Sequence, residues 1–194
     1  MRATAKPYYR ITVDQYDRML ETGILRDGDP VELIDGMLVP KMPKTPEHGY
    51  PIKTLSMLIP PILASGWTWI AQDPIRLPEY DEPEPDFAVL AGNVKDYAHR
   101  HPAPGEIAIV VEVAVSSLKT DRGKKRAAYA LADIPIYWIV NLKDRQIEVC
   151  SRPSGRRYRS IKVYKPGQLL PVVINGNQIG DIAVDDILPE VQGE

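Results

Sequence analysis

Two aliphatic runs, EIAIVVEVAV (106–115) and IPIYWIVNL (134–142), restrict the fold more than any other part of the chain. Runs this short, rich in Val and Ile, read as buried strands. Between them lies SSLKTDRGKKRAAYALAD (116–133), a predicted helix weakened by Gly123. Leu118, Lys125, Tyr129 and Ala132 share one stripe of that helix, at spacings of 7, 4 and 3 residues. EPDFAVLAG (84–92) adds a short buried strand entered through a Pro-rich loop. The order strand, strand, helix, strand describes an α/β sheet with a helical crossover.

Glu112 interrupts the most aliphatic of these strands. An isolated ionised carboxylate in a dry interior is costly, so Glu112 must be paired, protonated, hydrogen-bonded or bound to a cation. It lies near the C-terminal end of its strand, where α/β sheets commonly place chemistry. Asp86 opens the preceding strand, so the two carboxylates converge if those strands are neighbours. Such a pair repels itself unless one is protonated or a cation lies between them, and oxygen ligands of this kind suit magnesium or manganese. The competing reading makes Asp86 a loop-end residue and pairs Glu112 with a core lysine or arginine. Lys125 is the cation that the helical stripe turns toward the sheet, unless it pairs with Asp121 four positions earlier. A lysine beside a carboxylate-held cation would suit phosphodiester hydrolysis.

The flanking segments follow local signals. TVDQYDRMLETGIL (12–25) is predicted as a helix capped by Thr12 or Asp14 and ended at Gly23. PVELIDGMLVPKM (30–42) reads as a hairpin turning at Asp35-Gly36. The segment 45–66 reads as a helix capped at Thr45 and shortened or kinked by Pro51, Pro60 and Pro61. One or two strands are expected over 67–80, a loop with a helical turn over 93–105, and a hairpin joined by KDR over 134–152. A strand and a Pro166-Gly167 turn follow over 156–170, then short strand-like pieces. No repeat or linker interrupts the 194 residues, which predicts one domain.

The net charge of −2 does not describe a general nucleic-acid coat, yet it is unevenly spread. EYDEPEPD (79–86) holds five acids, whereas 117–126 holds five bases and 151–165 holds six. These runs read either as solvated faces or as basic surfaces around an acidic pocket. No apolar run reaches the roughly 20 residues that span a bilayer, and the N-terminus lacks a secretory pattern. Cys150 is the only cysteine, which excludes an internal disulfide and fits a reducing cytoplasm. HRH (99–101) lacks the further ligands of a zinc site. Trp67, Trp69 and Trp138 read as packing residues, and Tyr158 as a strand residue of a basic hairpin rather than a base-stacking platform.

Taken in order, VELIDGMLV, EPDFAVL and VVEVAVSSLKTDRGKKRAAYALADIPIYWIVNL resemble the Uma-two family of proposed restriction endonucleases, within the PD-(D/E)XK nuclease superfamily. The resemblance runs from about Thr12 to the C-terminus. It implies a restriction-endonuclease-like mixed sheet flanked by helices, with additional hairpins, and an Mg2+ site that Mn2+ can fill. Pro85-Asp86 matches the family's PD and Glu112 its central acid, the two expected metal ligands. The superfamily's lysine often follows that acid by two residues, where this chain has Ala114. The family displaces it to the next helix, which puts Lys125 in that role. Glu32 matches an N-terminal acid that completes the site, and His48 a histidine near the start of the second helix. The resemblance also implies DNA as the substrate, bound through bases in Lys119–Arg126 and Arg152–Arg159, and a homodimer. Ala114, and Val115 where many similar sequences carry an acid or hydroxyl, favour the alternative of a non-catalytic interaction module that kept the fold.

Overall fold

The computed structural model describes residues 8–26, 28–41 and 45–190. Its centre is a six-stranded mixed sheet. The strands are β3 (Trp67–Ile70), β4 (Phe87–Ala91), β5 (Ile107–Ala114), β6 (Ile136–Asn141), β7 (Gln146–Ser154) and β8 (Arg157–Tyr164), side by side in that order. Only β5 and β6 run parallel, and the helical segment between them is the crossover that the aliphatic runs required. The other pairings are antiparallel.

Every residue of β5 is buried because both sheet faces are covered. On one face, Ile109, Val111 and Val113 pack with α2 (Pro46–Leu58), the hairpin of β9 (Leu169–Ile174) and β10 (Asn177–Ala183), and the short α5 (Val184–Ile187). On the other, Val110 and Ala114 pack with Ala128, Tyr129 and Ala130 of the crossover and with Ile75 and Leu77. Glu112 has the parity of Val110 and Ala114, so its side chain leaves the sheet toward the crossover helix. In β4, Asp86 has the parity of Ala88 and Leu90, which pack on that same face. The β4–β5 register, Ala88↔Val110 and Phe87↔Val111, therefore brings Asp86 alongside Glu112.

The N-terminal elements follow the predicted chemistry. Thr12 caps α1 (Val13–Glu21) in a reciprocal capping box with Gln15. The hairpin of β1 (Val31–Ile34) and β2 (Met37–Pro40) turns through Asp35 and Gly36, with φ of 53° and 72°. Both positive angles are those of the two-residue turn that suits strand twist. Backbone bonds from Glu82 N to Leu33 O and from Gly36 N to Tyr80 O fasten this hairpin to the loop leading into β4.

One expectation changes and two are narrowed. The helix over 45–66 stops at Leu58, because Pro60 and Pro61 lack amide donors and form a separate tight turn, Pro60–Ile62. The region 67–80 holds one strand, after which the chain forms only the isolated bridge Leu77↔Asp81. The predicted helix over 116–133 is three pieces: α3 (Leu118–Thr120), a π-helical turn over Asp121–Lys125 that contains Gly123, and α4 (Arg126–Leu131). Among the described residues, no helix is long and apolar enough to cross a membrane.

Candidate active site

The π-helical turn explains how one helix presents so many groups to the sheet. In a regular α-helix, each step of four residues overshoots a full turn by about 40°, so three steps drift by about 120°. The wider i→i+5 turn takes up that excess. Ser117, Asp121, Lys125 and Tyr129, four apart throughout, consequently remain on one side. The first three line a cavity of about 100 Å³, and the Tyr129 hydroxyl donates to Glu112 Oε1 at 2.6 Å. A second buried tyrosine, Tyr137 of β6, donates to the backbone carbonyl of Asp121 at 3.2 Å and braces the turn from behind.

The cavity wall gathers Glu32 of β1, Lys41, His48 of α2, Glu84, Asp86, Glu112, Asp121 and Lys125. All four resemblance-derived site residues therefore meet: Glu32, Asp86, Glu112 and Lys125. The Lys125 ammonium stands 2.9 Å from Glu112 Oε1 and 3.0 Å from Glu32 Oε1. The alternative pairing with Asp121 does not form; Asp121 Oδ2 instead accepts from the Ser117 hydroxyl at 2.6 Å. Glu112 thus does have a core lysine as partner, as one of the two readings of this strand required, and Asp86 lies beside it as the other required. Asp86 Oδ2 accepts from Val113 N at 2.8 Å and lies 3.2 Å from His48 Nε2. Glu32 also accepts from Glu84 N through Oε2 at 3.1 Å, so it ties the lysine to the loop that carries Asp86.

Charge is unbalanced here. Burial pushes the Glu112 carboxyl well above its ordinary value; Lys125 opposes this, while Asp86, Asp121 and Glu32 reinforce it. Burial also lifts Asp121 to about 6 against the pull of Lys125 and Ser117. For Lys125, burial acts downward, but Glu112, Glu32 and Asp121 outweigh it and hold the ammonium charged. Four buried carboxyl groups thus line one cavity with Lys125, which pairs with two of them.

This donor set fits a hard divalent cation. The hydrogen bonds described engage Oδ2 of Asp86 and Oε1 of Glu112, so each acid keeps a second oxygen. Among the described residues no three His, Cys, Asp or Glu side chains form a ready-made cage. Magnesium typically takes one or two carboxylates and completes its shell with water and phosphate. Ala114 has no polar group to offer, and Val115 is exposed.

Other sequence candidates fall elsewhere. His99 and His101 are exposed in the loop before β5, where Arg100 pairs with Glu106. Tyr158 is buried and donates to Ile134 O at 2.9 Å, which excludes it as a stacking surface. Trp138 is core, and Trp69 stacks on Phe87. Lys119, Lys124, Arg152, Arg156, Arg157 and Arg159 are exposed. Arg122 pairs with Glu148, and among the exposed bases Arg156 pairs with Asp35. Sequence reasoning treated Asp121 only as an ion-pair partner and Tyr129 only as packing. Their spacing of four on either side of Lys125 was the available signal, but it aligns them only if the helix widens.

No curated protein matches the sequence. Among the solved structures that are similar is one with a TM-score of 0.64 at 16% identity, covering 91% of this chain and 97% of the other. Its title describes a "putative nuclease belonging to DUF820" from Anabaena variabilis ATCC 29413, and the likeness establishes the shared fold. The model of a family described as "Putative restriction endonuclease" matches residues 13–182. With that match spanning the whole six-stranded sheet and every residue of the acidic cavity, the chain belongs to the Uma2 family, whose description supports a nuclease function.

Proposed function

We propose that this protein is a magnesium-dependent endonuclease that hydrolyses DNA phosphodiester bonds. The observation that carries the reading is the convergence of Asp86 and Glu112, from adjacent strands, beside the buried ammonium of Lys125. Asp86 and Glu112 would hold the cation, with Mn2+ as a substitute for Mg2+. When bound, that ion would supply Lewis-acid polarisation of the phosphoryl oxygens. Lys125 remains charged and donates a hydrogen bond to a phosphate oxygen or the attacking water, in a site from which bulk water is largely excluded. Glu32 has both oxygens engaged, so it acts by holding Lys125 and the Asp86 loop in place.

Lys119 and Lys124 lie exposed on the helix that carries Lys125, and Arg152, Arg156, Arg157 and Arg159 are exposed around the β7–β8 hairpin. They would take the DNA backbone through sequence-independent contacts. A homodimer would present one site to each strand.

The test is plasmid cleavage during Mg2+ and Mn2+ titrations, with RNA as a parallel substrate. The reading expects DNA cleavage that Asp86→Asn and Glu112→Gln abolish while both variants still bind DNA. DNA binding by folded wild-type protein, without cleavage in either metal, would instead identify an interaction module. Preferential cleavage of RNA would reassign the substrate.

A further inference from the structure

From the geometry we infer that Asp121 is a catalytic residue, the general base that orients the attacking water and takes its proton. This assignment rests on the nuclease reading and supplies a part which that reading leaves open. Hydrolysis forms a bond between the water oxygen and phosphorus and breaks the phosphorus–oxygen bond to the leaving sugar. The water's proton must go to an acceptor, and the leaving oxygen is protonated by solvent.

The groups lining the cavity narrow the choice. Lys125 is held charged by its two carboxylate partners and has no lone pair to offer. Asp86 and Glu112 are committed to the cation. Glu32 spends both oxygens, on Lys125 and on Glu84 N. Glu84 is paired with Lys41, and His48 stands against Asp86. Asp121 remains. Its residue is 1% exposed, it lines the cavity, and it makes no ion pair among the described residues. A buried carboxylate held by a single hydroxyl is expensive to keep, which is characteristic of a working group rather than a scaffold.

The surroundings also suit the task. Ser117 hydrogen-bonds Oδ2 and thereby fixes the carboxylate's orientation while Oδ1 remains for water. The charged groups that act on Asp121 are Lys125 on its own helical segment, Asp86 at the start of β4, Glu112 on β5 and Glu32 on β1; Tyr137 on β6 touches only its backbone carbonyl. Burial places its titration at about 6, close enough to neutral pH for efficient proton transfer.

The experiment compares wild type, Asp121→Asn and Ser117→Ala in single-turnover DNA cleavage with saturating Mn2+ from pH 5 to 9. DNA affinity and Mn2+ affinity are measured on the same samples, and thermal melts check folding. Asp121→Asn, nearly identical in shape, should lower the cleavage rate by about 100-fold or more while both affinities stay within a few-fold of wild type. Ser117→Ala removes a hydrogen bond that favours the charged carboxylate, so the acid limb of its pH profile should move to higher pH. Asparagine at this position with wild-type cleavage would overturn the assignment. So would a tenfold loss of Mn2+ affinity in Asp121→Asn, which would make the residue a metal ligand, or an unmoved acid limb in Ser117→Ala. Wild type inert in every metal would overturn the nuclease reading itself, and this assignment with it.

Discussion

Lys125→Met is the most informative perturbation of the folded state. Methionine keeps most of the buried stem and removes the charge, so the variant isolates two ion pairs of 2.9 and 3.0 Å. Removing one partner of a buried pair typically costs about 3–5 kcal/mol. The cost has a ceiling, because Glu112 and Glu32 can escape it by taking up protons. Protonating an ordinary carboxyl near 4.3 costs about 1.36 kcal/mol for each pH step above that value. That is about 5 kcal/mol per acid at pH 8 and about 1 kcal/mol at pH 5. The destabilisation should therefore be about 3–5 kcal/mol at pH 8 and fall to about 2 kcal/mol or less at pH 5. Urea denaturation followed by tryptophan fluorescence, without divalent metal and at fixed ionic strength, measures both. Adding Glu112→Gln to the variant should recover part of the loss at pH 8. An equal loss at both pH values would refute the argument, since it would mean that Lys125 stabilises by packing and not by neutralising acids.

Three further outcomes follow from single contacts. Tyr129→Phe removes the 2.6 Å hydrogen bond to Glu112 and should weaken apparent Mn2+ affinity by about 10-fold or more, with DNA binding unchanged; unchanged metal dependence in cleavage assays would show that Glu112 needs no such support. Burial raises Glu82 to about 7, with Asp17 adding to the effect and Arg76 opposing it. Because its folded value lies above its unfolded one, the wild type loses stability as pH rises from about 4.5 to about 7; Glu82→Gln should gain relative to wild type between pH 5 and pH 8 in urea midpoints. Gly36→Ala should cost about 2 kcal/mol or more in the same assay, since φ is 72° and a Cβ would lie 2.6 Å from that of Arg10.

The central strands β4, β5 and β6 were readable because they are nearly unbroken aliphatic stretches, and burial on two faces demands that pattern. The Asp35-Gly36 turn and the Thr12 and Thr45 caps were readable because their chemistry is local. The pairing of Asp86 with Glu112 could be posed but not decided, since register is set across the sheet rather than along the chain. The π-helical turn was not visible, as Gly123 signals weakness without saying how the backbone yields. Asp121 escaped for the same reason. Its position opposite the acids depends on a backbone geometry that helical periodicity does not encode.

That widened turn ties the geometry of the crossover to its length. Deleting Gly123 would leave the composition of the helix nearly intact, yet let the backbone close into an ordinary coil. Asp121 and Lys125 would then stand three residues apart, about 60° from alignment and about 1.5 Å closer along the axis. The Lys125 ammonium, held at 2.9 and 3.0 Å from Glu112 and Glu32, would have to be seated again, although neither it nor Asp121 had been altered. The extra residue thus sets how a carboxylate and an ammonium drawn from one helix are aligned.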